Sequence, residues 1–151
     1  IVQVSGRAGR TNLHGKVIGR TNRPLNTAIV CAVEMKSEEF YQRELAIRKD
    51  LGFPPFSRLI RLVFRGKDDT SAYNTALRFY DGIKEKVTPY AGILGPSECP
   101  ISVIAGKHRY HLIFRSHRIK EEHTLLRDFL LHFKCPSLVY CEVDVDPVSL
   151  L

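Results

Sequence analysis

Two arginines near the start of the chain, Arg7 and Arg10, each follow a glycine, in the stretch Gln3-Val4-Ser5-Gly6-Arg7-Ala8-Gly9-Arg10. Glycine lets a main chain approach a ligand closely and take φ > 0, and guanidinium is a planar, permanently charged fork suited to phosphate oxygens. A second basic set lies downstream at Arg61, Arg65, Lys107, Arg109, His111, Arg115 and Arg118. Residues of this kind hold phosphates or acidic peptides rather than break bonds. His108, His111 and His117 cluster in sequence, but no nucleophile accompanies them or Asp144 and Asp146, so a free-standing enzyme is set aside. Cys31, Cys99, Cys135 and Cys141 include no C-x-x-C pair. They read as reduced, packed thiols of a cytosolic protein, and no metal site is expected.

The 151 residues suit one ordinary domain, or one with a fragment of another. The apolar fraction of 44% and charged fraction of 26% are those of a globular chain. A formal charge of +7 favours an acidic partner, nucleic acid first. No apolar run is long enough to span a bilayer, and no membrane partner is expected. Because the chain begins on Ile with the Gly-Arg stretch almost at once, it reads as a piece from the C-terminal side of a longer protein.

The elements that would position these residues follow in order. Residues 16–21 are a short strand candidate that Arg23-Pro24 ends, and Asn26 to Val33 is ambiguous between a buried strand and a short helix. Residues 1–36 read as the tail of another domain. Ser37 opens a helix with Glu38 and Glu39 at its positive end and Arg48 and Lys49 at its negative end. Its apolar side is Phe40, Tyr41, Leu45, Ile47 and Leu51, and Gly52 with Pro54-Pro55 closes it, making 37–56 a connector.

From residue 57 onward strands and helices alternate. Strands are expected at Arg58–Arg65, Ile93–Pro96 (stopped by Gly95-Pro96), His108–Arg115 and Leu138–Asp146. Helices are expected over Asp69–Val87, with Tyr73, Ala76, Leu77, Tyr80 and Val87 inward, and from Ser116 to about Phe133, with Ile119, Leu126, Phe129, Leu130 and Phe133 inward. The stretch through Ala105-Gly106-Lys107 reads as a loop or irregular hairpin. The order βαββαβ predicts an α+β, ferredoxin-like sandwich in 57–151, a four-stranded antiparallel sheet with two helices on one face. The other face would be open, showing Arg61, Arg65, Arg109, His111, Ile113 and Arg115 beside Tyr140, Glu142, Asp144 and Asp146. Arg61 is expected to pair with Glu142 or Asp144. The remaining basic residues, with Lys107 and Arg118, would form a groove for an anionic partner. Without a row of exposed aromatics, phosphate or acidic-peptide contact is expected rather than base reading.

Two resemblances add names to these residues. At Gln3, Gly6, Arg7, Gly9 and Arg10 the opening stretch resembles the Q-x-x-G-R-x-G-R motif of superfamily 2 helicases. That implies Gln3, Gly6 and Gly9 at an ATP cleft, and Arg7 and Arg10 as arginine fingers on the γ-phosphate. Arg43-Glu44-Leu45-Ala46-Ile47-Arg48, Leu51-Gly52-Phe53-Pro54-Pro55-Phe56, Leu94-Gly95-Pro96, Lys107-His108-Arg109-Tyr110 and Asp144-Val145-Asp146-Pro147 resemble segments of the primosomal protein N′ family of replication-restart helicases, in the family's order. The resemblance implies a bacterial, cytoplasmic 3′→5′ DNA helicase, an ATP hydrolase that rebuilds the primosome at stalled forks. It implies ATP and Mg2+ in motor lobes and Zn2+ on a cysteine cluster, both outside this sequence. No G-x-x-x-x-G-K-[ST] loop occurs here, so the fragment alone is expected to bind no cofactor and hydrolyse no ATP. Implied partners are branched and single-stranded DNA, other primosome proteins, and single-stranded DNA-binding protein, whose acidic tail this part would help to dock.

Overall fold

The computed structural model describes residues 1–6, 8, 16–87, 89 and 91–150, the side chain of Val4 aside. The chain divides into two compact units, Ile1–Asp50 and Leu51–Leu151.

The described part of the first unit is helical: α1 (Val2–Ser5), α2 (Thr27–Val33) and α3 (Ser37–Asp50). The strand expected over residues 16–21 is absent; these residues form no regular element. The strand-bearing tail of a motor lobe is therefore not found among the described residues. A strand needs a neighbour to satisfy its backbone, and none is offered among the described residues of this unit. The ambiguity at Asn26–Val33 resolves to helix, with the Asn26 side chain accepting from the Ala28 N–H at 3.0 Å. A tight turn with Met35 at φ 57° links α2 to α3, and Cys31 is buried. The expected apolar side of α3 is not buried: Tyr41 and Ile47 are 58% and 55% exposed. Ladders at i,i+4 support the helix instead, with Gln42 to Glu38 at 2.8 Å, Arg43 to Glu39 at 2.5 Å and Arg48 to Glu44 at 2.8 Å.

The second unit is α+β: β1 (Arg58–Gly66), α4 (Asp69–Ile83) with a 3-10 turn at Lys84–Lys86, β2 (Ala91–Ile104), β3 (Lys107–Ser116), α5 (Ile119–His132) and β4 (Val139–Val145). The four strands lie in the order β2-β3-β1-β4, every pair antiparallel. This is the expected ferredoxin-like βαββαβ arrangement, with β1 between β3 and β4. Ile60, Leu62 and Phe64 of β1 and Tyr110, Leu112 and Phe114 of β3 turn one sheet face toward the helices and form the core with them. The buried stripe of α4 is Ala72, Thr75, Ala76, Phe79 and Ile83; of the expected inward residues Ala76 is buried, Tyr80 and Val87 pack against the core, and Tyr73 is 39% exposed. Two alanines and a threonine let the helix sit close to the sheet, and the larger tyrosines flank the contact. Tyr73 packs edge-on to Tyr110 at 5.3 Å. The stripe of α5 is as expected, with Ile119 and Leu126 buried and Phe129, Leu130 and Phe133 packed beside the core, joined by a fully buried Glu122. Asp68 caps α4 by accepting from the Ser71 N–H at 2.7 Å.

Gly95-Pro96 does not stop a strand. β2 runs on through a cis Gly95-Pro96 bond, with register shifts between Leu94 and Ser97 and between Glu98 and Val103. An edge strand can carry a proline and bulges because one side of it needs no ladder partner. A two-residue turn, Ala105 at φ 49° and Gly106 at φ 69°, then returns the chain into β3.

Candidate nucleic-acid interface

On the face away from the helices, the register stacks four cross-strand rows. From the hairpin end they are Tyr140–Arg65–Arg109, Glu142–Val63–His111–Ser97, Asp144–Arg61–Ile113–Leu94 and Leu59–Arg115–Gly92. Alternation alone puts every expected basic strand residue on this face. The face is not open along its length, however: Arg61, His111 and Ile113 are only 4%, 8% and 7% exposed.

Two flanking segments hold the middle and far end of the face. Before β1, Leu51–Ser57 turns at cis Pro54-Pro55, with the Phe56 N–H donating to Phe53 O at 3.0 Å and the Ser57 hydroxyl to Gly52 O at 2.6 Å. After β4, the Asp146 N–H donates to Leu59 O at 2.8 Å, and Ser149 O accepts from Arg61 Nη1 at 3.4 Å. The arginines expected to form one groove are therefore partly engaged. Arg115 donates to Leu51 O, Arg109 Nη1 to Ile101 O at 3.0 Å, and Arg65 pairs with Glu142 at 2.7 Å. Arg118, just before α5, pairs with Glu121 at 3.6 Å. Glu142, opposite Val63 and one row along from Arg65, is within reach of that long side chain and takes it. Arg58 and Asp146 form a further ion pair, which holds the Asp146 carboxyl below the usual carboxylate range. Burial, then the charges of Arg61 and Arg109, holds His111 below the usual histidine range, so it is neutral at pH 7.

What remains accessible and positive gathers at the hairpin end. Lys107 has no carboxylate partner among the described residues and lies over the Tyr140 ring, its Nζ 4.8 Å from the centroid. Arg65 approaches the same ring at 5.8 Å. The structure thus brings together Lys107, Arg65 and Arg109, buries Arg61 and His111 behind them, and leaves Arg115 and Arg118 toward the opposite strand ends. Tyr140 and Glu142 were readable as residues of this face but not as neighbours of Arg65; only the β1–β4 register shows that. Of the opening motif, Gln3 lies in α1 and Gly6 just after it, whereas Arg7, Gly9 and Arg10 lie outside the described residues. No group of three or more metal-ligating side chains occurs among the described residues, and none of the described helices is long and apolar enough to cross a membrane.

The family model described as primosomal protein N C-terminal domain matches residues 49–148. The chain belongs to the primosomal protein N C-terminal domain family. The match begins at the end of α3 and takes in all four strands of the sheet, so the primosomal protein N C-terminal domain coincides with the second unit. Similarity to whole relatives extends further. The chain is 40% identical over 151 residues to a replication restart protein PriA of Treponema pallidum and 36% over 149 to that of Borreliella burgdorferi. It is 30% identical over 154 residues to replication restart protein PriA of Bacillus subtilis. These alignments cover 99–100% of this chain but only 19–23% of each relative, so it spans about a fifth to a quarter of their length.

Proposed function

We propose that this chain is the C-terminal part of a replication restart protein, and that its sheet domain binds DNA through phosphate contacts at the hairpin end of the β-sheet. The observation that carries this is the gathering of Lys107, Arg65 and Arg109 beside an exposed ring at one end of the sheet. Relatives named as replication restart proteins along the whole chain support it. The longer protein would be an ATP-dependent 3′→5′ DNA helicase of the bacterial cytoplasm that recognises stalled or branched forks and assembles a primosome. In it Arg7 and Arg10 would act on the γ-phosphate of Mg2+-bound ATP, with Gln3, Gly6 and Gly9 at the cleft, and Zn2+ would belong to another segment.

Engagement of Arg109 and Arg115 by main-chain carbonyls favours a small phosphate footprint. That supports a second reading, a docking module for the acidic tail of single-stranded DNA-binding protein, with Lys107, Arg109 and Arg118 as its cations and little DNA contact.

Fluorescence anisotropy of forked DNA and, separately, of an acidic tail peptide, each at two salt concentrations, distinguishes the two. Fork binding that weakens steeply with salt is the expected result. Peptide binding with flat anisotropy on forked DNA would overturn the DNA reading in favour of docking.

A further inference from the structure

The row at the hairpin end sets one aromatic ring among cations. Tyr140 lies opposite Arg65, and Arg65 lies opposite Arg109. Tyr140 is 52% exposed, so packing does not account for an aromatic residue here. The Lys107 ammonium sits 4.8 Å and the Arg65 guanidinium carbon 5.8 Å from the ring centroid. Arg65 is fixed by Glu142 and Arg109 by Ile101 O, and each bond uses only part of a fork that has five N–H donors. Behind the row, Arg65 Nε and His111 Nδ1 are buried with no hydrogen-bond partner among the described residues.

We propose that Tyr140 is a stacking platform for one unpaired base of single-stranded DNA, with Lys107 and Arg109 holding the phosphates beside it. The proposal rests on the DNA-binding reading and deepens it. Each base has a π-face, so a single exposed ring binds any of them without sequence preference. Lys107 carries its charge on a flexible stem and can move from the ring to a phosphate. Arg65, tethered by Glu142, stays with its guanidinium carbon 5.8 Å from the ring centroid. In a duplex the base faces are already stacked on one another, so the ring engages only unpaired nucleotides such as the open arm of a fork.

The test uses this chain with a labelled oligothymidine and a blunt duplex of equal length, at low salt. Tyr140→Leu is expected to lose about 5- to 150-fold in affinity for the oligothymidine, the span of one base–aromatic stack, and to keep its affinity for duplex. Tyr140→Phe retains the ring and is expected to bind both as the parent does. The chain has six tyrosines and no tryptophan, so its intrinsic emission reports tyrosine. Oligothymidine should quench the parent more than Tyr140→Phe. Unchanged oligothymidine affinity in Tyr140→Leu, or equal losses on single strand and duplex, would overturn the platform while leaving DNA binding intact. If the parent bound neither DNA, the DNA reading itself would fall and the platform with it.

Discussion

Arg115 of β3 donates to the main-chain carbonyl of Leu51, and its guanidinium carbon lies 5.9 Å from the centroid of the Phe53 ring. One side chain thereby ties the Leu-Gly-Phe-Pro-Pro-Phe segment to the sheet. Gly52 lies beside it, where an added Cβ would meet the Arg115 side chain at 3.7 Å. Arg115→Ala should lower the unfolding free energy by about 1.5–3 kcal/mol, the range for a hydrogen bond to a charged group. Its effect on DNA affinity should be smaller than that of Lys107→Ala. Urea unfolding and anisotropy on the same variants check both halves, and an Arg115→Ala protein of parental stability would contradict the tether.

Gly95 and Gly106 both have positive φ, yet their substitution should cost different amounts. A Cβ on Gly95, at φ +102°, would lie 2.5 Å from the main-chain oxygen of His111, which cannot move without breaking the ladder. Gly106, at φ +69°, has nothing within 4 Å. Gly106→Ala should therefore cost only the left-handed backbone penalty, about 1–2 kcal/mol. Gly95→Ala should cost more than that, because a backbone clash is added to it. Equal denaturation midpoints for the two variants would refute this account of β2.

His111 predicts a pH dependence separate from that of the carboxylates. Its folded-state pKa is depressed, so above the unfolded value of about 6.5 both states are neutral there and it adds no slope. As pH falls below that value the unfolded chain takes up the proton first, and stability declines until the folded value is passed. Asp146, depressed by Arg58, contributes stability that is lost only as pH falls below about 3.8 and through its lower folded value. His111→Leu should remove the upper step and leave the acid one. Urea midpoints measured against pH test this, and a parental curve flat across the histidine range would contradict it.

Lys107 is a partly exposed cation of the hairpin end with no carboxylate partner among the described residues, so its loss should read as a lost phosphate contact. Lys107→Ala should weaken binding to different DNA sequences alike and reduce the slope of log affinity against log salt by about 0.7–0.9. Repeating the salt titration with two unrelated sequences measures this. An unchanged slope would place the phosphate contact elsewhere.

The sequence by itself determined the element order of the second unit and the face of each strand residue. Hydrophobic alternation at Ile60, Leu62 and Phe64, and at Tyr110, Leu112 and Phe114, has period two, and a slip by one residue would turn all six away from the helices. The same local logic fixed the stripe of α5. It placed Ala76 of α4 inward but missed Ala72 and Phe79, which join it in the contact with the sheet. It also stopped β2 at Gly95-Pro96, since nothing local says that this strand lies at an edge and can carry a proline.

The tertiary structure alone decided which charges are available. Arg61, Arg109 and Arg115 look alike as exposed positions on alternating strands. Main-chain carbonyls at Ser149, Ile101 and Leu51, distant in sequence from two of them, accept their hydrogen bonds. Likewise, Tyr140 stands beside Arg65 and Lys107 only because β4 pairs with β1 in this register. Side-chain direction is a local property of the backbone, whereas the partner that neutralises or leaves free a charge is brought by chain folded from elsewhere.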